Sequence, residues 1–122
     1  MAKMIMVVDD STSIRQSLRF ILEQNGYQVT DAPNGSEALA LLKPETQLIM
    51  TDINMPVMNG IDFIKAVRGR TDALKAVPIL VLTTETQDDL RQKGKEAGAT
   101  GWIVKPFTAD ELVAVIRKVI GA

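Results

Sequence analysis

The chain has 122 residues, 46% of them apolar, and its 14 basic and 15 acidic side chains leave a net charge of −1. This length and apolar content predict one compact domain, 1–122, and the balanced charge gives no general pull toward nucleic acid or an anionic membrane. Without Cys or His, the chain has no disulfide, no thiolate nucleophile, no zinc site built on either residue and no Ser-His-Asp triad.

The first apolar run, Met4-Ile5-Met6-Val7-Val8, closes on Asp9-Asp10 and predicts a strand over 4–9. With one Lys before it, the run is too short for a signal peptide. Ile14, Leu18, Ile21 and Leu22 then share one helical face. A strand over 28–32 and a helix with the stripe Ala38, Leu39 and Leu42 follow. The second continuous run, Leu48-Ile49-Met50-Thr51, closes on Asp52 and predicts a strand over 47–52. Phe63, Ile64 and Val67 mark a third helix, 77–83 a fourth strand, Leu90 and Ala97 a weaker helix, 102–104 a fifth strand, and Leu112, Val115, Ile116 and Val119 a fifth helix. Asn25-Gly26, Asn34-Gly35 and Asn59-Gly60 read as turns or caps, and Pro44 and Pro78 cannot continue preceding helices.

Continuously apolar strands are expected where helices cover both faces, and strand–helix alternation predicts a parallel sheet with right-handed crossovers. The expected fold is a five-stranded, doubly wound α/β domain with five flanking helices. Charged or polar residues interrupt every apolar run before membrane-spanning length, so the reading is cytoplasmic with no membrane partner.

On neighbouring parallel strands, Asp9, Asp10 and Asp52 converge at the carboxyl end of the sheet, where open α/β folds place their sites. Three clustered anions repel, so one must take a proton or the group must hold a cation. Hard oxygen ligands without softer donors point to Mg²⁺. A plainer reading makes one Asp or Ser11 a helix N-cap, and Asp52 a cap for the helix near Gly60. Two adjacent Asp with a third at another strand end favour the metal, and the loop after Asp52 is long for a cap. A carboxylate that attacks phosphorus forms an acyl phosphate, and the transfer needs a metal with cationic or hydroxyl donors. Thr83 and Lys105 end the fourth and fifth strands and are those donors. A cis bond before Pro106 would aim the Lys105 ammonium inward.

Asp9-Asp10, Asp52-Ile53-Asn54-Met55-Pro56, Thr83 and Lys105-Pro106-Phe107 resemble the signature of response-regulator receiver domains, over essentially the whole chain. The resemblance implies the flavodoxin-like strand order 2-1-3-4-5, with Asp52 as phosphoacceptor. It implies Mg²⁺ on Asp10, Asp52 and the backbone carbonyl of Asn54, with Asp9 acting partly through water. Thr83 and Lys105 would contact the phosphoryl group, and Trp102 stands where the family has a switch aromatic. Asn54 and Glu85 match the stand-alone chemotaxis regulators of the CheY type at positions that influence phosphoryl lifetime. Thr84, where many relatives carry a smaller side chain, would change phosphoryl access. The partners implied are a histidine kinase or phosphotransfer protein and an output target such as a flagellar motor component. With the chain ending after the fifth helix, a stand-alone, non-enzymatic monomer is expected. A phosphorelay intermediate shares the same pocket.

Two other classes fit less well. A haloacid-dehalogenase-like, Mg²⁺-dependent aspartyl phosphatase needs a second Asp two residues after its nucleophile, where this chain has Ser11 or Thr12. In a flavodoxin-like FMN binder, Ser11-Thr12-Ser13 would cradle a phosphate that the adjacent Asp pair repels. Phe20 lies off the apolar face of its helix, either packed on a neighbouring helix or docking a phosphodonor. Arg91, Lys93 and Lys95 would place positive charge on the exposed side of a fourth helix that Gly94 makes easy to shift.

Overall fold

Each apolar run forms a strand whose side chains alternate between two cores. The computed structural model describes residues 3–84 and 88–121; Glu85 lies outside the described residues. The elements are β1 (Met4–Val8), α1 (Thr12–Gln24), β2 (Gln28–Ala32), α2 (Gly35–Leu41), β3 (Thr46–Thr51), α3 (Gly60–Arg68), a 3-10 turn (Ala73–Ala76), β4 (Ile79–Thr83), α4 (Asp88–Ala97), β5 (Gly101–Val104) and α5 (Ala109–Ile120). The strands form one parallel sheet in the order β2-β1-β3-β4-β5, as the sequence implied. The 3-10 turn was not anticipated; Asp72 caps it, and β4 begins two residues later than the apolar run.

Odd and even strand positions serve opposite faces. Ile5, Val7, Leu48, Met50, Leu80 and Leu82 pack with Leu18 and Leu22 of α1 and with Leu112 and Ile116 of α5. Met6, Val8, Ile49, Ile79 and Val81 pack with Ala38 of α2, with Phe63, Ile64 and Val67 of α3, and with Ala97 of α4. No described helix is long and apolar enough to cross a membrane.

The three Asn-Gly pairs have two different uses. Asn25 closes α1 ahead of Gly26, which has φ +87°. Asn34 and Asn59 instead open α2 and α3, accepting the N–H groups of Glu37 and Asp62 at 2.9 Å each. Ser11 is the N-cap of α1, its hydroxyl accepting from the Ile14 N–H at 3.3 Å. The plainer capping reading thus holds for Ser11, while neither Asp9 nor Asp52 is spent on a helix end.

Candidate functional site

Parallel pairing of β1 with β3, Val8 opposite Thr51, brings their carboxyl ends side by side. Asp9, Asp10 and Asp52 each place a carboxylate oxygen within 4.8 Å of the others, with Asp9 buried, Asp52 half-buried and Asp10 exposed. Backbone contacts fix the two inner acids. The Asp9 Oδ1 accepts the Ser11 N–H at 2.9 Å, and the Asp9 carbonyl accepts from Arg15 at 2.6 Å. The Asp52 Oδ1 accepts the Ile53 N–H at 2.6 Å. Gly60 packs so closely on the Asp52 carbonyl that a Cβ there would collide with it, so the start of α3 lies directly beneath this residue.

The remaining oxygens of Asp9 and Asp52 face one cation. Lys105 Nζ lies 2.8 Å from Asp9 Oδ2 and 3.2 Å from Asp52 Oδ2. Burial alone would push this ammonium down, but its hydrogen bond to Asp9 and the attraction of Asp52 outweigh it, and its pKa lies above the ordinary lysine value. The Lys105 N–H donates to the Thr83 carbonyl at 2.9 Å, and Lys105-Pro106 is cis. Thr83 is buried at the end of β4, while Asn54 and Thr84 are exposed. Three acids against one cation leave this pocket short of positive charge. Its all-oxygen donor set suits a hard divalent cation.

Several predicted residues lie outside the pocket. Phe20 is 65% exposed on α1, which overturns its alternative reading as a helix-packing residue. Beside the pocket, Ile14, Leu18, Ile21, Thr84, Pro106 and Phe107 line an apolar groove of about 480 Å³. Arg91, Lys93 and Lys95 are all exposed but do not form one patch. Arg91 and Lys95 line a groove with Trp102, whereas Lys93 points to the α3 side beside Ile61. The difference is helical geometry, since positions two apart lie on opposite faces. Gly94, expected only to make α4 easy to shift, is buried. Arg15 and Gly60 were missed, because neither lies at a strand end and each acts through backbone contacts.

The family model for the response regulator receiver domain matches residues 5–117. The chain belongs to that family. It is 39% identical over 121 residues to the phosphate regulon transcriptional regulatory protein PhoB of Escherichia coli, covering 98% of this chain but 52% of PhoB. It is 38% identical over 117 residues to the chemotaxis protein CheY of Pseudomonas aeruginosa, covering 94% of each. The solved structure of Vibrio cholerae CheY4 is 46% identical, with a TM-score of 0.91 over 98% of this receiver chain and 99% of its own. The chain thus spans about half the length of PhoB and nearly all of the two chemotaxis proteins.

Proposed function

We propose that this receiver chain is a phosphorylation-activated switch in which Asp52 accepts the phosphoryl group of a histidine kinase or phosphotransfer protein. The observation that carries this reading is the Lys105 ammonium held between Asp9 and Asp52 in a three-carboxylate pocket. An Asp52 oxygen attacks phosphorus, the phosphorus–nitrogen bond of the donor phosphohistidine breaks, and the imidazole leaves with a proton. Asp10, Asp52 and the Asn54 backbone carbonyl would hold Mg²⁺, with Asp9 contributing partly through water, and the bound ion would neutralise phosphoryl oxygens. Lys105 takes a further share of the new charge through a charge-assisted hydrogen bond. The Thr83 hydroxyl contacts the same group, and exposed Thr84, with Asn54 and Glu85, governs its lifetime. The chain is a phosphoacceptor and not a turnover enzyme.

In this reading the signal leaves through the face that carries Trp102, as Thr83 moves toward the phosphoryl group and the indole follows. Arg91 and Lys95 beside Trp102, with Lys93 across the helix, favour an acidic partner segment. Likeness to two chemotaxis proteins across their lengths favours a cytoplasmic chemotaxis regulator acting on a flagellar motor component. Likeness to PhoB favours a second reading, the receiver of a different pathway; a pulldown with and without beryllofluoride separates the two by the partner captured. Phe20 docks the phosphodonor: Phe20→Ala should slow transfer from a kinase and leave acetyl phosphate labelling intact. The central test is Asp52→Asn, which should abolish base-labile, Mg²⁺-dependent label without unfolding the chain. Stoichiometric labelling of that variant overturns the assignment.

A further inference from the structure

Gly94 sits in the middle of α4 and is buried. A Cβ built on it would lie 2.9 Å from Cζ3 of Trp102, 3.6 Å from its Cε3 and 3.9 Å from Cδ1 of Ile53. The missing side chain is therefore a notch in α4, and the benzene edge of the indole fills it. Three residues earlier on the same helix, the Arg91 guanidinium carbon stands 5.7 Å from the ring centroid, within cation–π range. Ile53 directly follows Asp52, and its N–H holds an Asp52 carboxylate oxygen. Side chains from the loop after β3 and from β5 thus meet at one point on the α4 backbone.

The indole Nε1 is buried and has no acceptor among the described residues, although a buried Trp N–H ordinarily finds one. Among the described residues, shape against Gly94 and the charge of Arg91 hold this ring in place, not a directional bond. A ring held in this way leaves when the fit is lost.

We propose that Gly94 is a positioning residue of the switch, whose absent side chain is the notch that keeps the Trp102 ring against α4. The inference rests on reading Trp102 as the moving aromatic. Ile53 forms the inner wall of the notch, so the ring also senses the backbone beside Asp52 by a route that bypasses Thr83. Adding one carbon at residue 94 would expel the ring and leave the helix intact. The clashing atom is the far end of a half-buried side chain, and Ala is the better helix former at an interior position.

Trp102 is the only tryptophan, so its fluorescence reads the notch directly. In unmodified protein, Gly94→Ala should shift the emission to the red and raise the iodide quenching constant. It should also remove most of the change that beryllofluoride with Mg²⁺ produces in the native chain. Arg91→Gln should move quenching in the same direction by less. If Gly94→Ala does not fold, Gly94→Ala with Trp102→Phe should fold, because the smaller ring vacates the notch; failure of that pair overturns the proposal. Native-like emission and quenching in a folded Gly94→Ala also overturn it. Ring exposure by Gly94→Ala in a protein whose native emission ignores beryllofluoride would uphold the notch and remove Trp102 from the switch.

Discussion

α5 buries Leu112, Val113 and Ile116, whereas α4, on the opposite face of the sheet, buries only Gly94 and Ala97. Fully burying one Leu or Ile side chain contributes about 1.5–3 kcal/mol, so α5 is fastened along its length and α4 much more lightly, at Gly94 and Ala97. Their ends differ too. A capping box between Thr108 and Glu111 starts α5, Gly121 at φ +72° ends it, and Lys3 donates to the Ile120 carbonyl at 2.6 Å. α4 also closes on a left-handed glycine, Gly98 at φ +114°, whose N–H reaches the Gly94 and Lys95 carbonyls at 3.2 and 3.0 Å, but this turn is tied to the rest of the fold by one guanidinium from α3. Arg68 donates to the Gly98 carbonyl at 3.0 and 2.8 Å, and to the Lys75 and Val77 carbonyls at 2.9 and 2.6 Å. A helix tethered at one end and lightly packed elsewhere can pivot without disturbing the core. Low local stability is what a switching element needs.

The comparison predicts the largest loss from the α5 side. Leu112→Ala should cost about 2–5 kcal/mol in urea unfolding, with protection falling across the whole sheet. A loss confined to α5 would break the claim that α5 is part of the global core. Arg68→Ala should cost about 1.5–3 kcal/mol, as for hydrogen bonds to a charged group. Amide exchange should accelerate in α4 well before α5; equal acceleration in both would show that the tether is not specific to α4. Thr108→Ala should cost about 1 kcal/mol through loss of the α5 cap, with α4 exchange unchanged.

The smallest effect is the pH response of the Lys105 contact with Asp9 and Asp52 at the strand ends. Lys105 has a folded-state pKa above the ordinary lysine value, so its contribution is complete below about pH 10.4 and disappears as the pH rises beyond it. The stability difference between native protein and Lys105→Met should stay flat through neutral pH and shrink only in that alkaline range. A difference that changes near neutrality would mean another group controls the pocket.

Two physical periods made the fold legible from the chain. Runs such as Ile79-Leu80-Val81-Leu82 have no polar position because both faces of β4 are covered, and helical stripes such as Leu112, Val115 and Ile116 set the covering layers. The pocket was legible for a related reason: parallel strands bring their carboxyl ends together, so the residue that closes each run is placed by the sheet itself. Asp9, Asp10, Asp52, Thr83 and Lys105 all sit at or beside such ends.

What the sequence by itself determined is therefore what repeats along the backbone: strands, helix faces and the residues at strand ends. Only the tertiary structure decided contacts that depend on one helix lying at a particular distance and rotation against its neighbours. Gly94 read as a weak helix residue until the Trp102 ring was found against it, and Arg68 drew no reading at all, although its four hydrogen bonds tie it to carbonyls of two other segments. Likewise, Lys93 separates from Arg91 and Lys95 because α4 turns one face toward α3 and another toward β5. A sequence records such a contact only as a small or charged residue, since the partner that gives it meaning comes from a distant part of the chain.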